Sequence, residues 1–210
     1  MIYKSFYYLG TRILIFGGGS SEGAVVSTVY IAEVHFNPNS SKVSEISYEK
    51  VPKMPAPCIE SFACSSDGRY VVGGGRDKNY KPTNRVYEFE SNEHKWKRLP
   101  SLNIARFRAA ATYFHGVLYV TGGYTDNSEI LDSIEILDIS RSDNRPTWKI
   151  CQSTLPLPIT DHTISVLNGK FILIGGSCGG KGMFEVYLLY ESVTTVILSS
   201  QLEMVNILFL

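Results

Sequence analysis

Four times along this 210-residue chain, an oily, β-branched run ends on a pair of glycines. The runs are Ile13-Leu14-Ile15-Phe16 before Gly17-Gly18, Arg69-Tyr70-Val71-Val72 before Gly73-Gly74, Leu118-Tyr119-Val120-Thr121 before Gly122-Gly123, and Ile172-Leu173-Ile174 before Gly175-Gly176. The steps between pairs are 56, 49 and 53 residues. A period near 50 with several strands per unit is how a blade of a β-propeller reads in sequence. Glycine is unfavourable in a strand interior by about 0.5–1 kcal/mol relative to alanine. Four pairs therefore need a compensating role, and missing side chains let a neighbouring backbone or ring pack close.

Within a unit the turn signals divide the chain into four strands. In the third, Ala109–Phe114 is followed by a His115-Gly116 turn, Val117–Thr121, the polar loop Tyr124–Ser128, the alternating run Ser133–Asp138 and Trp148-Lys149-Ile150. The second unit repeats the plan with Ser61–Ser65, Asp67-Gly68, Tyr70–Val72, Arg85–Phe89 and Trp96–Leu99. The fourth has Thr163–Leu167, the strong hairpin pair Asn168-Gly169, Phe171–Ile174 and Phe184–Tyr190. The first uses Tyr3–Leu9 and a Gly10-Thr11 turn. The expected fold is all-β, a propeller of four four-stranded antiparallel blades at roughly 1–52, 53–103, 104–155 and 156–200, with 201–210 a truncated strand or unrelated tail.

Composition narrows the function classes. Lys plus Arg and Asp plus Glu both number 20, so the net charge is zero and there is no electrostatic case for nucleic acid or anionic lipid. The oily stretch after Val193 is broken by Gln201, Glu203 and Asn206, which argues against a membrane span. Arg12 interrupts the first apolar run, which does not read as a secretory leader, so a cytoplasmic location is expected. Asn39-Ser40-Ser41 matches a glycosylation acceptor but reads as a turn in that setting. Cys58, Cys64, Cys151 and Cys178 form no CxxC, and the four histidines are scattered, so neither disulfides nor a metal site is expected.

Here the residues resemble the kelch repeat: a strand ending in Gly-Gly, a polar loop, a strand carrying an aromatic, and a Trp about seven residues on. Phe89 leads to Trp96 by that step, and Leu137 leads to Trp148 across a longer loop. Val43 and Ile197 stand where Trp is replaced in the first and fourth units. Met54-Pro55 and Arg106-Phe107-Arg108 match the segment before the first strand, although Cys58 and Ile159 stand near where Arg is expected. The resemblance covers almost the whole chain.

That resemblance implies a protein-interaction module, serving substrate recognition for a cullin-type ubiquitin ligase or cytoskeletal (actin) binding. It implies partners at the mouth of the ring. Carried onto this sequence, the partner-binding positions are Arg76, Asp77, Tyr80, Tyr124 and Ser177 after the glycines, and Arg106 and Arg108 before the third unit. Arg and Tyr supply a planar donor fork and a rigid amphipathic ring, both suited to anchoring. Kelch propellers usually close with six or seven blades, whereas four are counted here. Three arrangements are compatible: a fragment of a larger propeller, a four-bladed ring, or self-association through exposed blade edges.

Catalysis has weaker support. Gly175–Lys181 nearly spells a phosphate loop, but Gly182 stands in place of the magnesium-binding Ser or Thr, and strand rather than helix follows. Asp161-His162 near Ser153, Thr160 or Cys178 has no nucleophile elbow beside it. The alternatives are a sugar-modifying or oxidising enzyme on the same scaffold, which would draw on Asp126, Asp161 and His162, or a truncated product without independent function. Glu88 and Glu90 read as a solvated strand face. No catalytic, cofactor or metal residues are assigned.

Overall fold

The computed structural model describes residues 5–9, 12–37, 42–66, 68–140, 146–182, 186–192 and 195–199. The predicted Gly10-Thr11 turn, the Asn39-Ser40-Ser41 acceptor and the 201–210 tail lie outside them. The described residues form four four-stranded antiparallel sheets, each a meander in which neighbours in sequence are neighbours in space. The first comprises β1 (Ser5–Leu9), β2 (Arg12–Phe16), β3 (Val29–Phe36) and β4 (Val43–Val51). The second comprises β5 (Phe62–Ser66), β6 (Arg69–Gly73), β7 (Val86–Glu90) and β8 (Lys95–Leu99). The third comprises β9 (Ala110–Phe114), β10 (Val117–Thr121), β11 (Ile134–Asp138) and β12 (Lys149–Ile150). The fourth comprises β13 (Thr163–Leu167), β14 (Lys170–Ile174), β17 (Val186–Ser192) and β18 (Thr195–Ser199), with a small hairpin of β15 (Ser177–Cys178) and β16 (Lys181–Gly182) set apart from it.

Consecutive first strands adjoin: β1 with β5, β5 with β9, and β9 with β13. No comparable contact joins β13 back to β1. The sheets are therefore blades arranged about an axis lined by their first strands. Each seam between blades holds its own apolar cluster. Leu14, Phe16, Val29 and Ile31 of the first blade pack against Tyr70, Val72 and Phe89 of the second. Phe62, Val71 and Val86 meet Leu118, Val120 and Leu137, and Ala110 and Ile134 meet Ile164, Phe171 and Leu173. No helix among the described residues is long and apolar enough to cross a membrane.

The glycine pairs form these seams. Their N–H groups bond across to the connection that enters the next blade: Gly18 to the Cys58 carbonyl (2.9 Å), Gly75 to Arg106 (2.8 Å) and Gly123 to Ile159 (2.9 Å). The first glycine of each pair makes room for that carbonyl. A methyl group on Gly17 would lie 2.5 Å from the Cys58 oxygen, and one on Gly74 would lie 2.6 Å from the Arg106 oxygen. Both glycines also hold the left-handed backbone region, φ +61° and +81° at Gly74 and Gly75. The pair in the second blade is thus Gly74-Gly75, a correction to Gly73-Gly74: Gly73 is the last residue of β6, and three consecutive glycines concealed the register.

Glu88 also departs from expectation. It is only 2% exposed, not solvated. A blade is buried on both faces wherever it has two neighbours, so in-and-out alternation does not mark a wet side. Arg69 approaches the Glu88 carboxylate to 3.8 Å from the blade surface. Trp96 and Trp148 hold equivalent places: each indole N–H donates to a carbonyl in the preceding inter-blade connection, Pro52 at 3.0 Å and Pro100 at 2.9 Å. Cys58 and Cys64 are buried.

Candidate protein-interaction site

The residues that follow the glycine pairs build a collar of loops on one face. In the first three blades the loop has one design. It is closed at its base by a backbone bridge, Gly19 to Val25, Arg76 to Pro82 and Tyr124 to Ile130. Inside it a second bond ties Ser20 to Ala24, Asp77 to Lys81 and Thr125 to Glu129. The fourth residue after the base is left-handed in each: Gly23, Tyr80 and Ser128. The fourth blade replaces this loop with the β15–β16 hairpin, turned by Gly179-Gly180. The near-match to a phosphate loop is therefore a hairpin.

Neighbouring loops grip one another. The Tyr80 hydroxyl donates to the Gly23 carbonyl of the first blade (2.8 Å), while Lys81 pairs with Asp126 of the third (3.2 Å). Asp77 folds its own loop, accepting from the Asn79 and Lys81 amides at 2.8 and 3.1 Å. Its carboxylate is spent on the turn, which makes it a support for Tyr80 and Lys81.

A second tier lies closer to the axis, where each connection enters the first strand. Ile59 bridges Arg76, Phe107 bridges Tyr124 and Thr160 bridges Ser177, each within its own blade. The next residues, Glu60, Arg108 and Asp161, all adopt φ of 55–57°. That region is disfavoured for residues with a Cβ, and such strain gathers where surrounding structure over-determines it. Here the strain lets the backbones link around the axis: the Arg108 N–H donates to the Glu60 carbonyl (2.9 Å), and Asp161 to Arg108 (3.0 Å).

The side chains of this tier interlock as well. Arg108 donates from Nε and Nη2 to one Glu60 oxygen at 2.9 and 2.7 Å, and its Nη1 lies 3.7 Å from Asp161. Arg76 stands 3.4 Å from the other Glu60 oxygen. Its guanidinium carbon sits 3.7 Å from the centroid of the Phe107 ring, whose neighbour Tyr124 stacks at 5.3 Å. Cation–ring contacts of this kind contribute about 0.5–2 kcal/mol. Arg76 and Arg108 each keep about a third of the side chain exposed, whereas Glu60 is buried beneath them. This tier thus presents two arginines and a tyrosine over a buried carboxylate.

Of the expected positions, Arg76, Arg108 and Tyr124 come together through Glu60 and Phe107, Ser177 holds the corresponding bridge position in the fourth blade, and Asp77 and Tyr80 stand on the collar. Arg106 does not join them and is a correction: its side chain is completely buried. The guanidinium donates to the Gly122 and Ser133 carbonyls, to the Ser133 hydroxyl (3.1 Å) and to Glu135 (2.9 Å). Glu135 also accepts from the Asn103 and Ile104 amides. Burial pulls the Arg106 pKa down, and Glu135 partly restores it. Arg106 therefore locks the connection onto the third blade, and no partner can reach it. Glu60 and Phe107 escaped the sequence reading because their roles depend on residues 16 to 48 positions away.

The candidate catalytic groups do not converge. Asp126 is at the rim with Lys81, Asp161 lies beside Arg108 and Thr160, and His162 is buried in the seam between the third and fourth blades, 2.8 Å from the Thr121 hydroxyl. Desolvation lowers the His162 pKa to about 4. Among the described residues, no group of three or more His, Cys, Asp or Glu is placed to hold a metal ion.

Comparison with known proteins agrees with this architecture. Residues 4–195 match the profile of the KLHDC2/KLHL20/DRC7 Kelch-repeats domain. An F-box/kelch-repeat protein of Arabidopsis thaliana is 29% identical over 65% of this chain and 37% of its own length. Alpha-scruin of Limulus polyphemus is 30% identical over 60% of this chain and 14% of its own, and human kelch-like protein 33 is 28% identical over 70% and 27%. These matches span little more than a third of the curated relatives at most. The solved structure of YjhT superposes with a TM-score of 0.62 over 94% of this chain and 83% of that one, at 13% identity, a likeness of fold. A period of glycine pairs, four-stranded blades around an axis and a matching profile over nearly the whole chain lead to one conclusion: the protein belongs to the kelch-repeat family of β-propellers.

Proposed function

We propose that this chain is a recognition module whose mouth, built from Arg76, Arg108, Tyr124 and Ser177 with Tyr80 on the surrounding collar, binds a segment of a partner protein. The observation that carries this reading is the Arg76–Phe107–Tyr124 stack, assembled from two blades and anchored on the buried Glu60. Pre-ordered arginine and tyrosine side chains lose little entropy on binding and are enriched among residues that dominate interface energetics. Kelch-repeat relatives support a binding role, and those that carry an F-box favour selection of a substrate for a cullin-type ubiquitin ligase. Cytoskeletal binding, the other role the resemblance implies, is separated by co-sedimentation with actin filaments. The dispersal of Asp126, Asp161 and His162 favours binding over sugar-modifying or oxidising chemistry, which needs converging titratable groups.

The test is affinity capture from cell extract with the wild type and an Arg76→Ala/Tyr124→Ala variant, with captured proteins identified by mass spectrometry. The reading expects a defined set retained by the wild type and lost by the variant at an unchanged melting temperature. Identical capture by both would remove the mouth from the account.

A further inference from the structure

The connection into the fourth blade carries an ionisable ring where the two before it carry small side chains. The carbonyls that meet the glycine pairs belong to Cys58, Arg106 and Ile159. Three residues after each stand Ser61, Ala109 and His162. His162 is buried and wedged into the seam between the third and fourth blades. Its Cε1 lies 2.8 Å from where a methyl group on Gly122 would be, and its Cβ lies 2.9 Å from the same point on Gly176.

This pocket suits a neutral imidazole and not a charged one. Nε2 lies 2.8 Å from the Thr121 hydroxyl, itself buried beside the Ala110 carbonyl. Nδ1 is buried with no hydrogen-bond partner among the described residues. A charged ring carries a proton on both nitrogens, and the one on Nδ1 would meet no acceptor, an expensive state for a buried donor. The elements around the ring bring no counter-ion either. β10 supplies Thr121 and Gly122, β9 the Ala110 carbonyl, and the turn after β14 supplies Gly176. Asp161, the chain neighbour, turns its carboxylate to the Thr160 hydroxyl at 3.0 Å and to Arg108 at 3.7 Å. Desolvation alone holds the His162 pKa down.

We infer that the third seam is an acid-sensitive joint: a proton taken up by His162 opens the contact between the third and fourth blades while the two earlier seams stay closed. Each seam has its own apolar cluster, so one can part without the others, as cooperative units within a domain do. Opening frees the Gly123 amide from the Ile159 carbonyl and the Asp161 amide from Arg108. It also parts Asp161 from Arg108 and so loosens one side of the mouth. The inference does not rest on the mouth binding a partner.

The experiment is residue-resolved amide exchange on the full chain at pH 7.5 and pH 5, corrected for intrinsic rates. A ring that titrates near 6.5 when open and near 4 when closed makes opening about 30-fold more frequent at the lower pH. Protection at Gly123 and Asp161 is expected to fall by that factor, and protection at Gly18 and Gly75 to fall far less. In His162→Gln, which cannot take up the proton, the fall at Gly123 and Asp161 is expected to match that at Gly18 and Gly75. A second measurement needs no variant: the His162 ring proton resonance of the wild type is expected to titrate with a midpoint well below 6.5. An equal fall at all four amides would mean that the seam opens only with the whole molecule and would overturn the inference. So would a selective fall that persists in His162→Gln, or a ring that titrates at its ordinary value.

Discussion

Substituting alanine at Gly74 puts a methyl group where the chain of the third blade passes. The ideal Cβ lies 2.6 Å from the Arg106 carbonyl oxygen, which is backbone and cannot rotate away, and 3.2 Å from the Phe62 ring. Two costs follow. The left-handed backbone at φ +61° is unfavourable for an L-residue by roughly 1–2 kcal/mol. Moving the Arg106 carbonyl weakens the bond from the Gly75 amide, a loss of about 0.5–1.5 kcal/mol, and disturbs the packing of the seam. The total is about 2–4 kcal/mol. At a urea slope of about 2 kcal/mol/M this lowers the midpoint by about 1–2 M. Gly169→Ala is the matched control. Its φ is +73°, but nothing lies within 4 Å of the added methyl, so it carries the backbone cost alone. Any stabilisation from a stiffer unfolded chain is common to both substitutions and cancels in their difference. Urea melts should place Gly74→Ala at least about 1 kcal/mol below Gly169→Ala. Equal losses would mean that the glycine pairs serve only to turn the chain, and that the close approach of blades is not why they recur.

Three further outcomes are expected. Arg106→Met leaves the buried Glu135 without its counter-ion and should cost about 3–5 kcal/mol, whereas adding Glu135→Gln removes the stranded charge and keeps an acceptor for one of the Asn103 and Ile104 amides, which bond different Glu135 oxygens. A double-mutant cycle in urea should therefore show the pair recovering stability relative to Arg106→Met, and additive losses would refute the pairing. His162 has a folded pKa of about 4 against an ordinary 6.5, so the unfolded chain binds the proton first as pH falls. Its contribution is fully present above pH 6.5 and is lost on descending to about 4, up to about 3 kcal/mol. His162→Gln should flatten the stability curve in that window, and an unchanged slope would contradict the burial of a neutral imidazole. Trp96→Phe should lose the bond to the Pro52 carbonyl, worth about 1 kcal/mol, seen as a lowered urea midpoint.

Much of the blade plan was legible because it is local. Ser133–Asp138 is marked by alternation, and Val117–Thr121 and Thr163–Leu167 by the His115-Gly116 and Asn168-Gly169 turns, which do fold with positive φ. The register of Gly73-Gly74-Gly75 was not legible, since backbone conformation and not identity decides which two glycines meet the next blade. Arg106 and Arg108 look alike in sequence and differ in fate: one faces Glu135 inside its own blade, the other faces Glu60 of the blade before. Glu88 and Glu135 were hidden for a related reason. A rule that assigns charged residues to a wet face assumes that a sheet has one, and an internal blade does not. The mouth could be approached only through positions matched to the family, because the Arg76–Phe107 contact crosses from one blade to the next.

Successive blades are joined at the glycine pairs. Amide hydrogen exchange measured residue by residue tests it most directly at Gly18, Gly75 and Gly123. Each lies just past the end of a strand, where an amide facing solvent exchanges at the rate of a loop. Bonded to the carbonyls of Cys58, Arg106 and Ile159, all three should be protected to the level of the neighbouring strand amides. Loop-like exchange at these three amides, with the strands themselves protected, would show blades that fold without being joined at the glycine pairs.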